Sequence, residues 1–369
     1  MRVLVTADAP PGALAYGLDL ARGLSRLGIE TVLAATGSAP SDSQRAAASS
    51  IEGLELVDTG LRLKGAADDS AMLCGAGERI ASLAESRDVD VVHLNTPAIA
   101  AMTGFAVPVV AVQHSCAATW WEAVHGTELP AELEWRTELV RTGLEAADAV
   151  VTPSLAFAAA TQRAYALDRI PRTVHYGRAP LPAPLYAPHD FVFTAGPLWD
   201  EGRNLEMLDS AAAQIDVPVR AAGPIEGPNG ASVVFDNIHC VGNLGEAELA
   251  RWLSARPVFV SAALYEPFGL SVLDAASVGC PLILSDIPAY RELWDEVAIF
   301  VAPRDEEGFT RAIAKLVADD FERAVIGRAA KERAALYSPD AMAAQMAAIY
   351  RSLLPALHRP VLAAARAAA

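Results

Sequence analysis

A chain of 369 residues is long for one core and divides most naturally into two domains, and its 53% hydrophobic content can bury both. A formal net charge of −16 and a pI near 4.9 argue against binding nucleic acid through its phosphates. The same acidity weakens, without excluding, a peripheral role on anionic membrane.

Strands and helices alternate from the start. Residues 2–7 predict a strand, the loop Asp8-Ala9-Pro10-Pro11-Gly12 follows, and a helix over 13–27 is stopped by Gly28. Residues 30–36, 54–58, 89–94 and 108–113 predict further strands, with helices over 71–85 and 133–147 among them. Residues 149–152 add a strand, and another helix begins after Pro153-Ser154. Near-continuous Val, Ala and Leu in these strands specify a parallel sheet covered on both faces. Asp8 comes too early for the apolar core of a signal peptide, and no apolar run is long enough to span a bilayer. A soluble, cytoplasmic protein is expected. Cys74, Cys116, Cys240 and Cys280 are widely spread with no Cys-x-x-Cys pair, which fits reduced thiols rather than zinc ligands or disulfides.

Two of these strands end in polar residues, one in His93 and Asn95, the other in His114 and Ser115. A lone histidine is more often a satisfied structural residue than a catalyst, and His93 is read that way. His114 precedes a loop at a carboxyl strand end, where parallel sheets gather their ligands, and is read as functional. Trp120, Trp121 and Trp135 follow it. Stacking on a sugar acceptor and filling a small local core are equally open to them.

Pro180, Pro182, Pro184 and Pro188 crowd one stiff, extended stretch. It is taken as a linker over 179–190, between an amino-terminal domain of 1–178 and a carboxyl-terminal domain of 191–335. The second domain repeats the alternation, with strands over 191–195, 217–222, 257–263, 281–285 and 298–301. From about 322 to 354 the chain reads as helix, and the Ala-rich tail over 357–369 as mobile. The fold class is α/β: two Rossmann-like domains whose carboxyl strand edges face across a cleft.

The most informative stretch is Tyr265-Glu266-Pro267-Phe268-Gly269-Leu270-Ser271-Val272-Leu273-Asp274. It lies between two strands, so Glu266 falls at a carboxyl sheet edge. Pro267 and Gly269 turn the chain into a helix whose first amides point into the crevice, an arrangement suited to phosphate or sugar oxygens. Glu266 as a helix cap and Asp274 as a solvated surface acid are the plainer readings of each residue alone.

An acid, Pro-Phe-Gly-Leu and a second acid after seven intervening residues resemble the donor-site motif of retaining glycosyltransferases of the GT-B fold, family four. The family has Glu where this chain has Asp274. Gly279-Cys280-Pro281-Leu282-Ile283 is similar to the family's next strand entry. The resemblance extends to Gly196-Pro197-Leu198-Trp199-Asp200-Glu201-Gly202-Arg203, which is similar to a phosphate-clamping loop. Arg203 holds that loop's lysine position, and Pro197 replaces its arginine. The loop at Gly12 resembles a family Gly-Gly loop with Pro11 in place of the first glycine, and His114 matches a histidine beside the transferred sugar.

The resemblance implies transfer of a sugar from a nucleoside diphosphate to a sugar or glycan-type acceptor, with retention of configuration. His114 and Glu266 would be catalytic; Gly12, Arg203, Glu266, Phe268, Gly269, Leu270, Ser271 and Asp274 would bind substrate. Glu266 would hold sugar hydroxyls and Asp274 the ribose. No cofactor and no divalent metal are expected; Asp88-Val89-Asp90, the one Asp-x-Asp, reads as a polar strand entry. A final helix over 336–356 would cross back to the first domain. Pro11 and Pro197 keep a second reading open, a non-catalytic or weakly active sugar-nucleotide binder or partner subunit. Another GT-B enzyme, a nucleotide-sugar 2-epimerase, is opposed by the Pro-Phe-Gly-Leu segment.

Overall fold

The structure, a computed structural model, describes residues 1–8, 11–61, 70–182, 189–228 and 230–354. Seven strands form the first sheet: β1 (Arg2–Asp8), β2 (Glu30–Thr36), β3 (Leu54–Asp58), β4 (Val91–Leu94), β5 (Val109–Val112), β6 (Ala149–Thr152) and β7 (Arg172–Thr173). Their spatial order is β3-β2-β1-β4-β5-β6-β7, and every pairing is parallel. The second sheet holds β8 (Val192–Ala195), β9 (Val219–Ala222), β10 (Ile238–Gly242), β11 (Val258–Ser261), β12 (Leu282–Ser285) and β13 (Ile299–Val301). Its order is β10-β9-β8-β11-β12-β13, again parallel. The central strands β4, β5, β11 and β12 are buried at every residue, as apolar strands covered by helices on both faces must be.

Several elements depart from the sequence reading. The first helix runs Pro11–Arg26, so Gly12 lies in its first turn rather than in a loop. Proline suits that first position because its missing N–H has no helical partner to lose. Strand β10 and the helices Asp42–Ser49 and Ala117–His125 were not predicted. The long helix over 322–354 is two helices, Asp320–Ala334 and Pro339–Leu353. Ser338 makes the break: its side chain accepts from Ala341 N at 3.2 Å, and Pro339 follows in the first helical turn. The linker residues 183–188 and the tail from 355 lie outside the described residues.

The helix Pro339–Leu353 returns to the first sheet. Gly23 lets it pack closely on helix Pro11–Arg26, since a Cβ there would stand 2.5 Å from both Ala343 Cβ and the Pro339 carbonyl. Tyr350 at its far end reaches His93 on β4, with 2.6 Å between the hydroxyl and Nδ1. Apolar packing then continues across the junction between the halves. Phe268 lies 4.9 Å from Tyr176 and 5.6 Å from Tyr337, ring centre to ring centre. The two halves therefore share an aromatic seam beside the crevice between their sheets.

Candidate functional site

In each sheet the strand order reverses direction beside the first strand, between β1 and β4 and between β8 and β11. Loops leaving such neighbouring strands in opposite directions open a crevice at the carboxyl edge. The loops after β8 and β11 are the two motif stretches, 196–203 and 264–269. They are stitched together by backbone: Gly202 O accepts from Leu264 N at 2.8 Å and from Tyr265 N at 3.3 Å. Asn204, at φ 56°, donates its side-chain amide to Ala262 O at 3.0 Å and Pro303 O at 2.7 Å. Sequence reasoning did not single out Asn204. Its one local signal is the tolerance of asparagine for positive φ.

This frame brings Arg203 and Glu266 together. Arg203 Nη1 donates to Glu266 Oε2 at 2.6 Å, and Phe268 N donates to Oε1 at 3.3 Å. The carboxylate is 11% exposed and the guanidinium 21%. Gly269 holds φ 93° as the residue before helix Leu270–Val278, where a Cβ would stand 2.9 Å from Tyr290. The half-buried Leu270 and Ser271 open that helix, and their amides lack intrahelical acceptors. Phe268 differs from expectation: its side chain is 1% exposed, so it packs the seam and offers no surface to a ligand.

Asp274, one turn further on, is closed off by Arg178, whose Nη1 donates to Oδ2 at 2.8 Å. It lines a groove of about 1080 Å³ with Arg178, Ser277 and Gly279, and Glu266 is not on the walls of that groove. Each motif acid thus has its own arginine rather than a shared open hollow. Both nevertheless lie at the junction, since Arg178 reaches Asp274 from the amino-terminal side and Glu266 is within electrostatic reach of Tyr176 of that same half.

Burial pushes Asp274 up to about 7, with Arg178 offsetting part of the rise and Glu246 and Asp19 adding to it. Burial likewise pushes Asp19 up to about 6, against the opposing pull of Arg178 and Arg22. The folded protein therefore holds these two protons more tightly than the unfolded chain does. Their contribution to stability is complete below the ordinary carboxylate value of about 4 and is lost as pH rises through the folded values. The thermal midpoint is expected to fall between about pH 4 and about pH 7. Asp274→Asn should flatten that fall; an unchanged slope in this variant would remove Asp274 from it.

Across the junction, His114 bonds the Tyr176 hydroxyl through Nδ1, while its Nε2 edge takes no hydrogen bond among the described residues. Burial, and secondarily His93, pushes its imidazole down to about 3, so it stays neutral near pH 7. His93 is fully buried with both ring nitrogens engaged, by Tyr350 and by Asn95. Trp120 and Trp121 cluster with His125, whereas Trp135 lies apart on helix Ala131–Ala146. Arg291 is absorbed by Asp286 and Asp295.

The residues that join the halves were not visible in the sequence. Glu292 accepts from Leu155 N at 2.9 Å and Ala156 N at 2.8 Å, capping a helix of the other half, and also meets His175 at 2.9 Å. Ser154 Oγ donates to Pro267 O at 2.7 Å. The Tyr265 hydroxyl lies 3.2 Å from Cys116 N and 3.0 Å from Thr119 Oγ1.

The comparisons with known proteins cover both halves. The model for Glycosyltransferase Family 4 matches residues 12–177, and that for Glycosyl transferases group 1 matches residues 190–319. Glycogen synthase of Mycobacterium tuberculosis is 35% identical over 95 residues, which are 25% of this chain and only 23% of that protein. Sucrose-phosphate synthase from Thermosynechococcus elongatus superposes with a TM-score of 0.77 at 19% identity, over 96% of this chain and 99% of that one. Anabaena HepE in complex with UDP and glucose gives 0.71 at 14% identity, over 96% and 100%. With both halves matched and two parallel Rossmann-like sheets in this arrangement, the chain belongs to the group 1 glycosyl transferases of family four and has the GT-B fold.

Proposed function

We propose that the protein transfers a hexose from a nucleoside-diphosphate sugar to a sugar or glycan acceptor, with retention of configuration and without a divalent metal. The observation that carries this reading is the Arg203–Glu266 pair beneath the first turn of helix Leu270–Val278, at the β8/β11 switch point. In the resting protein each partner satisfies the other. A donor diphosphate entering the crevice replaces Glu266 as the acceptor for Arg203, and the freed carboxylate turns to the sugar hydroxyls. As the glycosidic bond breaks, negative charge grows on the leaving diphosphate. Arg203 and the amides of Leu270 and Ser271 meet it, fixed donors aimed where charge develops. Because they supply that stabilisation, the reaction as proposed needs no metal.

Asp274 takes the ribose hydroxyls once Arg178 releases it, and the neutral His114 faces the reacting side through Nε2. The aromatic seam limits water at the junction, which matters because donor hydrolysis is the competing reaction. Retention is supported by the acid–Pro-Phe-Gly-Leu–acid motif, and the UDP and glucose in the HepE complex support the ligand class.

The test is release of nucleoside diphosphate from a panel including UDP-glucose and GDP-mannose, with and without EDTA. Release from at least one donor, at a rate EDTA leaves unchanged, is the expected result. A protein that releases nothing and gains no thermal stability from UDP or GDP would defeat the reading.

A further inference from the structure

Helix Ala117–His125 begins three residues after His114, yet three of its polar contacts reach into the opposite half of the molecule. At its start, the Tyr265 hydroxyl accepts from Cys116 N at 3.2 Å and lies 3.0 Å from Thr119 Oγ1. One turn later, Trp120 Nε1 donates to Asp200 Oδ1 at 2.8 Å. Near its end, Arg304 donates to the Val124 carbonyl at 2.9 Å.

The first two contacts reach the Arg203–Glu266 pair from both sides. Tyr265 immediately precedes Glu266. Asp200 shapes the turn that carries Arg203: its carboxylate accepts from Gly202 N at 2.9 Å and its carbonyl from Arg203 N at 2.8 Å. Gly202 is also what admits the tryptophan, because a Cβ there would stand 2.7 Å from Trp120 Nε1. Each member of the pair is therefore oriented by a contact with the other half. Separation of the halves would leave both loops without their outer support.

We propose that Trp120 and Tyr265 are positioning residues that make the donor grip conditional on contact between the halves. Helix Ala117–His125 is thus a brace: through Tyr265 it fixes the loop that carries Glu266, and through Trp120 and Asp200 the loop that carries Arg203. This deepens the transferase reading and rests on it. The general physical ground is that catalytic groups must be held within a fraction of an ångström by their supports, so loss of one support lowers rate more than affinity.

The experiment compares Tyr265→Phe and Trp120→Phe with the wild type by two readouts. The first is kcat and KM for the donor found active in the panel. Each variant should lose about tenfold in kcat while KM stays within about twofold. Unchanged kcat with a lowered thermal midpoint would overturn the proposal, since the contacts would then only hold the halves together. The second readout needs no donor: alkylation of Cys116 by iodoacetamide, followed by mass spectrometry with Cys74 as the internal reference. Tyr265→Phe should speed Cys116 labelling several-fold in the free protein, and unchanged labelling would show that the Tyr265 hydroxyl does not hold the helix start, overturning its positioning role. If the wild type turns over no donor, the transferase reading fails by itself and the labelling still decides whether Tyr265 holds the helix start.

Discussion

Glu266→Ala is expected to lower nucleoside-diphosphate release by two to three orders of magnitude, about what removal of one preorganised electrostatic group costs an enzyme. The carboxylate is held against both a cation and a backbone amide, through Arg203 and Phe268 N. Alanine also strands Arg203, which is only 21% exposed, so the variant should melt earlier than the wild type. Glu266→Gln separates the two effects. Glutamine keeps the shape and an acceptor oxygen, hence most of the stability, but it presents no charge to Arg203 or to the sugar. Release should be nearly as low in Gln as in Ala when both are assayed well below their melting points. Release at the wild-type rate in either variant would remove Glu266 from the chemistry.

Pro197→Arg should raise kcat/KM by roughly ten- to a hundredfold, the equivalent of about 1.5–3 kcal/mol for a charge-assisted contact. Position 197 directly follows Gly196, and the Arg203 guanidinium already lies against that glycine, 3.2 Å from where a Cβ would sit. A second cation there would face the same diphosphate from the other side of the loop. Proline cannot donate from its backbone nitrogen, yet the turn does not depend on it: Pro197 contributes its carbonyl, to Asp200 N at 3.2 Å. Arginine should therefore be accommodated without refolding the loop. An unchanged kcat/KM would mean that another group already supplies the charge, and Arg178 would be the first to examine, by Arg178→Ala in the same background.

The motif was legible because its parts are neighbours in the chain. An acid, two turn-forming residues and a helix start within four positions define a strand–loop–helix edge wherever the fold places it. Strand β10 was less legible: His239 and Cys240 dilute its apolar pattern, and the preceding stretch is rich in Gly, Pro and Asn. The helix Asp42–Ser49 had a readable signal in the reciprocal capping of Ser41 and Gln44. The Ser338-Pro339 pair likewise announced the break between the last two helices.

Side-chain roles followed a different rule. Phe268 sits in the motif and reads as a ligand contact, but Tyr176 and Tyr337 converge on it from distant positions and bury it. Asp274 reads as an open acid, and Arg178 occupies it. Tyr265 carried no signal at all, because its meaning is a hydroxyl delivered to the start of a helix 149 residues earlier in the chain.

By itself, then, the amino-acid order determined two parallel sheets, a sheet-edge motif and the residue types able to grip a phosphorylated sugar, since periodicity, turn chemistry and short spacings are local properties. Only the tertiary structure decided which arginine neutralises which acid, across 63 residues for Glu266 and 96 for Asp274, and that the two halves hold each other's loops. Such pairings depend on how far each element is carried by everything folded between them, and no local pattern encodes that distance.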